Sequence, residues 1–195
     1  AVLTNTGGGV NFSDTWKQLS PEENNHLEVG TKIFPDKKSR IDMSLFQDTI
    51  SNRYGFSFAN ASWFNYGKYT MQGVELSGQR EIIPELTVFG GWTYLNNDST
   101  TNLPYAPQNA FNAAITGYVG KFRLSVDGQY QTAFYGQNLN RNGSSNTQRM
   151  DGYTVANARV SYPIPELGKK GEVFVMVENI FNQQYSYRQG YPMPG

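Results

Sequence analysis

Apolar and polar residues alternate along most of the chain, and the longest regular run covers residues 122–134. One series of alternate positions is mainly apolar and runs from Phe122 to Phe134, while Arg123 and Asp127 belong to the other series. Because successive side chains of a strand point to opposite faces, this run predicts one strand with an apolar and a polar face. The strand would hold about a dozen residues, close to the ~9–11 of a tilted membrane-spanning strand.

The same two-residue period recurs elsewhere, with charges such as Glu28, Lys32 and Arg159 on the series opposite the apolar one. The segments concerned are 27–33, 41–45, 74–78, 86–94, 111–119, 156–162 and 173–177. A charge at a lipid-facing position costs about 2–4 kcal/mol at the membrane midplane, so this arrangement suits a sheet with lipid on one side. Apolar residues do not repeat with helical i, i+3, i+4 spacing, and we predict an all-β chain.

The connections between the predicted strands alternate between short and long. The short ones are 35–39, 83–85, 120–121 and 163–171, and the long ones are 14–25, 52–65, 96–110, 134–150 and 182 onward. Tight turns at one end and long loops at the other are typical of outer-membrane barrels. We therefore predict an antiparallel up-and-down transmembrane β-barrel. About nine strands are expected, and because single-chain bacterial barrels have even numbers of strands, this would be part of a larger barrel.

Composition narrows the classes of protein further. The 195 residues carry 16 basic and 16 acidic side chains, so no positive surface for nucleic acid is expected. Without cysteine and with His26 as the single histidine, the chain cannot form disulfides, zinc–thiolate sites or multi-histidine metal sites by itself. The mean hydropathy of −0.56 is compatible with a membrane barrel, in which only alternate residues face lipid. Aromatic residues, with Phe134 and Tyr153 among them, gather at predicted strand ends, as in interfacial girdles.

Several short motifs follow one another in a characteristic order. They are L-S-P-E at 19–22 with L-E-V-G-T-K at 27–32, S-L-F-Q-D-T-I-S-N at 44–52, G-V-E-L-S-G at 73–78, P-Y-A-P-Q-N at 104–109, and V-E-N-I-F-N-Q-Q-Y at 177–185. In order and spacing they resemble the C-terminal half of the barrel of TonB-dependent outer-membrane receptors, particularly siderophore receptors. The resemblance implies a barrel of about 22 strands with a plugged lumen. Residues 1–195 are then expected to form its C-terminal portion, without the plug domain, the TonB box or the final strand.

The resemblance also implies a location, a function and partners. A protein of this kind lies in the outer membrane of a Gram-negative bacterium, surrounded by outer-membrane lipid. It binds a ferric siderophore or another scarce nutrient at its extracellular face, and it imports that ligand when TonB rearranges the plug. The siderophore itself coordinates the iron, so neither a resident cofactor nor a protein metal site is expected.

Candidate ligand contacts are expected on the long loops, where aromatic or cationic side chains are available. They are Trp63, Phe64, Tyr66, Tyr105, Tyr135, Tyr185, Tyr187, Arg188 and Tyr191. Aromatic faces suit catecholate or hydroxamate groups, and an arginine can hold an anionic group with two hydrogen bonds. The alternative for each aromatic residue is that it only packs one loop against another.

Two other functions share parts of this pattern. A passive porin or adhesin barrel has the same periodicity, and only the motifs favour a receptor over it. An outer-membrane enzyme would need a catalytic constellation at the barrel rim, for which His26 is the sole histidine base. The G-V-E-L-S-G motif at 73–78 does not match the G-x-S-x-G nucleophile elbow. We therefore predict that the chain is not an enzyme.

Overall fold

A computed structural model describes residues 15–57, 62–65, 67–97, 104–139, 145–164 and 171–193. Within these ranges the backbone is almost entirely extended, and one turn of 3₁₀-helix, η1, covers Thr15–Gln18. No helix in the described ranges has the length and apolar character needed to cross a membrane.

The strands are numbered in chain order. They are β1 (Glu23–Ile33), β2 (Ser39–Ser51), β3 (Tyr54–Ser57), β4 (Ser62–Asn65), β5 (Tyr69–Ile83), β6 (Leu86–Asn97), β7 (Asn109–Val119), β8 (Phe122–Gln131), β9 (Phe134–Leu139), β10 (Ser145–Met150), β11 (Tyr153–Pro163), β12 (Glu172–Val177), β13 (Ser186–Arg188) and β14 (Tyr191–Pro192). The long strands of 10 to 15 residues exceed the ~5–6 typical of soluble sheets.

One 8-stranded sheet dominates the molecule, in the order β1-β2-β5-β6-β7-β8-β11-β12. Every neighbouring pair is antiparallel, and the order follows the chain. The pairs β3–β4, β9–β10 and β13–β14 form separate two-stranded hairpins within the long connections. The predicted all-β, up-and-down architecture is confirmed, with eight strands in the main sheet where about nine were expected.

The connections place the hairpins at one end of the main sheet. Tight links at 34–38, 84–85 and 120–121 join strands at the end that we call the turn end, and Gly120 adopts a positive φ of 61° there. The long connections, with their hairpins, lie at the opposite end, which we call the loop end. The predicted alternation of short and long connections is therefore present in the part of the chain that the structure describes, whereas most of the predicted short connection at 163–171 lies outside it.

The strand register separates an apolar face from a polar face. On the apolar face Val29 pairs with Leu45, and Leu45 pairs with Val74. These side chains remain exposed, Val29 at 68% and Leu45 at 47%, which marks a surface that a partner or lipid must cover. The polar face carries ion pairs and hydrogen bonds, such as Lys32 with Asp42 at 3.5 Å.

The buried apolar residues of the described chain all lie near the loop end. They are Ile50, Tyr69, Phe134, Tyr153 and Val155. Ile50 pairs with Tyr69 where β2 and β5 reach that end, and the other three form one cluster. A single-layer sheet has no second layer to enclose its middle, so burial concentrates where the loops fold over it.

The position of Phe134 differs from the prediction, which placed it on the apolar face with Phe122. Strand β8 ends at Gln131, residues 132–133 are not part of a strand, and β9 begins at Phe134. This interruption breaks the alternation, and Phe134 packs with Tyr153 and Val155 on the polar side of the sheet. Only 3% of its surface is exposed.

Candidate functional site

The loop-end cluster consists of buried Phe134, Tyr153 and Val155, with Tyr105, Met150 and Tyr185 packed against them. Two hydrogen bonds connect the residue after β8 to the first residue of β7. The N–H of Thr132 donates to the carbonyl of Asn109 at 2.9 Å, and the N–H of Asn109 donates to Thr132 Oγ1 at 3.1 Å. In the second bond the Thr132 hydroxyl replaces the Thr132 carbonyl that would accept this N–H in a continued strand pair, so β8 ends here and β9 begins at Phe134.

Three tyrosine rings meet at one side of this cluster, namely the buried ring of Tyr153 and the rings of Tyr185 and Tyr187. The ring of Tyr153 lies 4.5 Å from that of Tyr185 and 5.8 Å from that of Tyr187, and the last two meet edge to face at 5.3 Å. The hydrogen bond with Tyr187, followed by burial, raises the pKa of the Tyr185 hydroxyl. Tyr185 therefore stays a neutral hydrogen-bonding group at physiological pH, and 48% of Tyr187 remains accessible.

Asn179 holds the segment that carries these tyrosines. Its backbone N–H donates to Oδ1 of Asn157 on β11 at 3.0 Å. Its side chain closes the following turn, since Oδ1 accepts the N–H of Gln183 at 2.9 Å and Nδ2 donates to the Gln183 carbonyl at 3.0 Å. Asn179 and Asn182 both have positive φ, 49° and 50°, which asparagine tolerates better than most residues. These roles explain the two asparagines of the 177–185 motif.

Replacing Asn179 with alanine is expected to lower the free energy of unfolding by about 2–3 kcal/mol, because it removes two side-chain hydrogen bonds and strains the backbone. Asn179→Gly removes the same hydrogen bonds but relieves the strain, so it should cost about 1 kcal/mol less. Urea denaturation of the full receptor in detergent measures both values. Equal, near-zero costs for the two variants would contradict this role.

Tyr105 and Tyr135 join two loops at the edge of the cluster. The N–H of Tyr105 donates to the carbonyl of Tyr135 at 2.7 Å, and the Tyr105 ring lies 6.3 Å from that of Phe134. Tyr105 has a φ of 68°, an uncommon conformation for an aromatic residue. Strained residues of this kind concentrate at binding sites, where the surrounding contacts hold them in place. Tyr135 is 42% exposed.

The other sequence candidates occupy different positions. Trp63 and Phe64 lie on β4, where the Trp63 ring packs edge-on against Phe56 at 5.1 Å. The backbone N–H of Trp63 donates to Thr15 Oγ1 at 3.4 Å. Their hairpin therefore contacts η1. On the β13–β14 hairpin, the Arg188 guanidinium lies over the Tyr191 ring at 5.5 Å. Tyr66 lies outside the described residues.

The structure therefore brings Tyr105, Tyr185 and Tyr187 against one cluster, and Tyr135 is joined to it through its backbone carbonyl, which accepts the Tyr105 N–H. Sequence reasoning did not select Phe134 or Tyr153, the residues at its centre, because both were assigned to the interfacial aromatic girdle. A signal was available for Tyr153, which lies on the polar series of β11 together with Asn157. A buried aromatic residue on an otherwise polar series indicates that something covers it.

A family model described as "TonB dependent receptor-like, beta-barrel" matches residues 2–180. The catecholate siderophore receptor Fiu of Escherichia coli K12 is 25% identical over 94% of this chain and 25% of its own length. The ferrichrome outer membrane transporter/phage receptor of the same strain is 22% identical over 86% of this chain and 24% of its own length. The chain thus spans about a quarter of these relatives. Both relatives are called receptors in their names, and the second is also called a transporter.

Solved structures share the fold. The crystal structure of Fiu from E. coli K12 aligns with 95% of this chain and 27% of its own at a TM-score of 0.66 and 23% identity. The FrpB iron transporter from Neisseria meningitidis aligns with 91% of this chain and 30% of its own at a TM-score of 0.71 and 18% identity. At these identities the likeness establishes a common barrel architecture.

Proposed function

The chain belongs to the TonB-dependent receptor β-barrel family, and we propose that it forms the C-terminal part of the barrel of a receptor that imports a ferric siderophore or a similar scarce nutrient. The observation that supports a binding role is the loop-end cluster, in which long loops gather tyrosines over the polar face. In a closed barrel the polar face lines the lumen, so the cluster lies where a ligand would enter.

The two faces fit the proposed location in the outer membrane of a Gram-negative bacterium. The exposed apolar face, with Val29 and Val175 at 68% and 71%, would contact lipid. Several charges on the polar face have partners, as in the hydrogen bond from Asn157 Nδ2 to Asp127 at 2.8 Å and the ion pair of Arg159 with Glu172. Coupling to TonB would require a plug domain, which we assign to a part of the receptor outside this chain.

The tyrosines would hold the ligand through their rings and hydroxyl groups. Tyr187 and Tyr135 present accessible rings that can stack on planar groups of a ligand. Tyr185 supplies a neutral hydroxyl that is already oriented by Tyr187. Because the ligand carries its own iron-coordinating oxygens, these contacts need only hold the organic shell. A passive porin or adhesin is disfavoured by family membership, and we propose no catalytic activity.

Iron uptake by the full receptor tests this proposal. A deletion strain is grown on a panel of single iron sources, and we expect at least one source to support the parent strain only. For that source, Tyr187→Ala should raise the Kd about tenfold by removing one aromatic contact of about 1.4 kcal/mol. Tyr118→Ala is the matched control, because Tyr118 is equally accessible at 52% but pairs with Arg123 at the turn end.

Two results would overturn the proposal. In the first, no iron source distinguishes the deletion strain from its parent, so the receptor has no role in iron uptake under these conditions. In the second, Tyr187→Ala and Tyr118→Ala change ligand affinity equally, so the loop end holds no binding site.

A further inference from the structure

A cleft of about 430 Å³ opens beside the loop-end cluster. One wall is the segment 148–153, which runs from the last residues of β10 to the first residue of β11. The other wall is the segment 183–190. Tyr153 and Tyr185 are shared with the loop-end cluster. We call this space the glutamine cleft, because its walls carry Gln148, Gln183, Gln184 and Gln189.

The ionic groups lining the glutamine cleft neutralise each other. Arg149 and Asp151 form an ion pair in which Nη1 lies 3.0 Å from Oδ1. These two are the cleft's only charged lining residues among those that the structure describes. Arg188, the cation that sequence reasoning assigned to an anionic ligand, lies over Tyr191 and does not line the cleft. An anion would therefore find no surplus positive charge on these walls.

One wall group requires a hydrogen-bond donor. Gln189 Nε2 donates to Oε1 of Gln148, and within the described part of the chain the buried Oε1 of Gln189 accepts no hydrogen bond. Leaving a buried acceptor unsatisfied costs about 1–3 kcal/mol. A ligand N–H or O–H would remove this cost, whereas an anionic oxygen would be repelled by the carbonyl. Side-chain amides also match ligand amides, since each offers both a donor and an acceptor.

We propose that the glutamine cleft binds an electroneutral, amide-bearing part of the ligand, of the peptide or hydroxamate kind, and selects against trianionic catecholate complexes. This inference rests on the proposed function and names the ligand class for that site. The preferred ligand of this chain would then differ in charge from that of the relative Fiu, whose name describes a catecholate receptor. The tyrosines would contact the apolar faces of the ligand, and the glutamines would determine its charge class.

Equilibrium binding to the full receptor in detergent tests the charge preference. One probe is the ferric complex of a synthetic cyclic-peptide trihydroxamate, which is electroneutral, and the other is the ferric complex of a synthetic tripodal tricatecholate, which is trianionic. We expect the neutral complex to bind at least about tenfold tighter, with little change on raising the salt concentration. Tighter, salt-sensitive binding of the tricatecholate would overturn the inference and leave the proposed function standing.

Variants of the cleft provide a second measurement. Gln189→Leu should weaken binding of the neutral complex about tenfold, as expected for one lost hydrogen-bonding group of about 1.4 kcal/mol. Gln148→Lys should instead improve binding of the tricatecholate severalfold by adding positive charge. Gln79→Leu is the control, since Gln79 pairs with Phe89 near the turn end. If the cleft variants behave like the control, the inference fails; if neither complex binds and the iron-source panel is also negative, the proposed function fails with it.

Discussion

Phe134→Ala is expected to lower the free energy of unfolding by about 3–5 kcal/mol, the usual cost of emptying a buried phenylalanine site. The ring is 3% exposed at the centre of the loop-end cluster, against Tyr153 and Val155, with Tyr105 packed on its edge. Its removal takes away the surface on which several loops rest. Ligand affinity should therefore fall together with stability, and urea denaturation and ligand titration of the full receptor measure the two effects.

Phe122→Ala provides the matched control at the other end of the same alternating run. Phe122 is 49% exposed on the apolar face, where it contacts the Tyr162 ring at 5.1 Å. Its truncation leaves the loop end intact, so ligand affinity should not change and the loss of stability should be smaller. Equal losses of stability and affinity in the two variants would show that Phe134 has no special role in the site.

Gly152→Ala is expected to cost about 3 kcal/mol, at the upper end for overpacking, and to displace Tyr153 from the cluster. A methyl group at Gly152 would lie 2.4 Å from the carbonyl oxygen of Gln131 and 3.0 Å from the N–H nitrogen of Ala133. Both contacts are with backbone, which cannot move aside as a flexible side chain can. Thermal denaturation and ligand titration of the full receptor report the expected loss.

Gly90→Ala is the control for the glycine substitution itself. An added methyl at Gly90 meets nothing within 4 Å, so this variant should be as stable as the parent or more stable by about 0.4–1 kcal/mol. The gain would arise because alanine lowers the conformational entropy of the unfolded chain. A Gly152→Ala receptor as stable as the Gly90→Ala receptor would mean that the close approach of the 148–153 segment to the end of β8 is dispensable.

The main sheet could be predicted from the sequence because strand alternation is a local signal. Along β8, for example, Leu124 and Val126 alternate with Arg123 and Asp127. The face on which each side chain lies follows from its position in the strand and does not depend on distant residues. The short motifs predicted the TonB-dependent receptor family, and the matching family model confirms that prediction.

The end of that alternation could not be predicted in the same way. It depends on Thr132 bonding to Asn109, a residue on another strand, and sequence spacing contains no signal for that contact. The need for glycine at position 73 of the motif also depends on a residue of another strand. A methyl group on Gly73 would lie 2.2 Å from the Phe46 ring across the β2–β5 pair. The motif indicates that the glycine matters, but only the pairing explains why.

Of the aromatic candidates chosen from the sequence, only some reach the loop-end cluster, and contacts between distant segments again decide which. Tyr185 and Tyr187 lie close to each other in the chain, and the turn held by Asn179 brings both onto β11. Trp63 and Phe64 belong to an equally aromatic loop, yet their hairpin packs beside η1. Which loops converge depends on tertiary docking, and aromatic content does not reveal it. That the four candidates around the cluster contact a ligand remains a prediction.

Concentration of the buried core at the loop end has a consequence for how such a receptor evolves. The proposed ligand site and the buried core share residues, because Tyr153 and Tyr185 line the glutamine cleft and also pack with buried Phe134. Under the proposed function, a mutation of these residues that adapts the receptor to a new nutrient also changes its melting temperature, and most such changes lower it. Adaptation to new nutrients should then require compensating substitutions elsewhere in the barrel, where the apolar face can vary without touching the ligand.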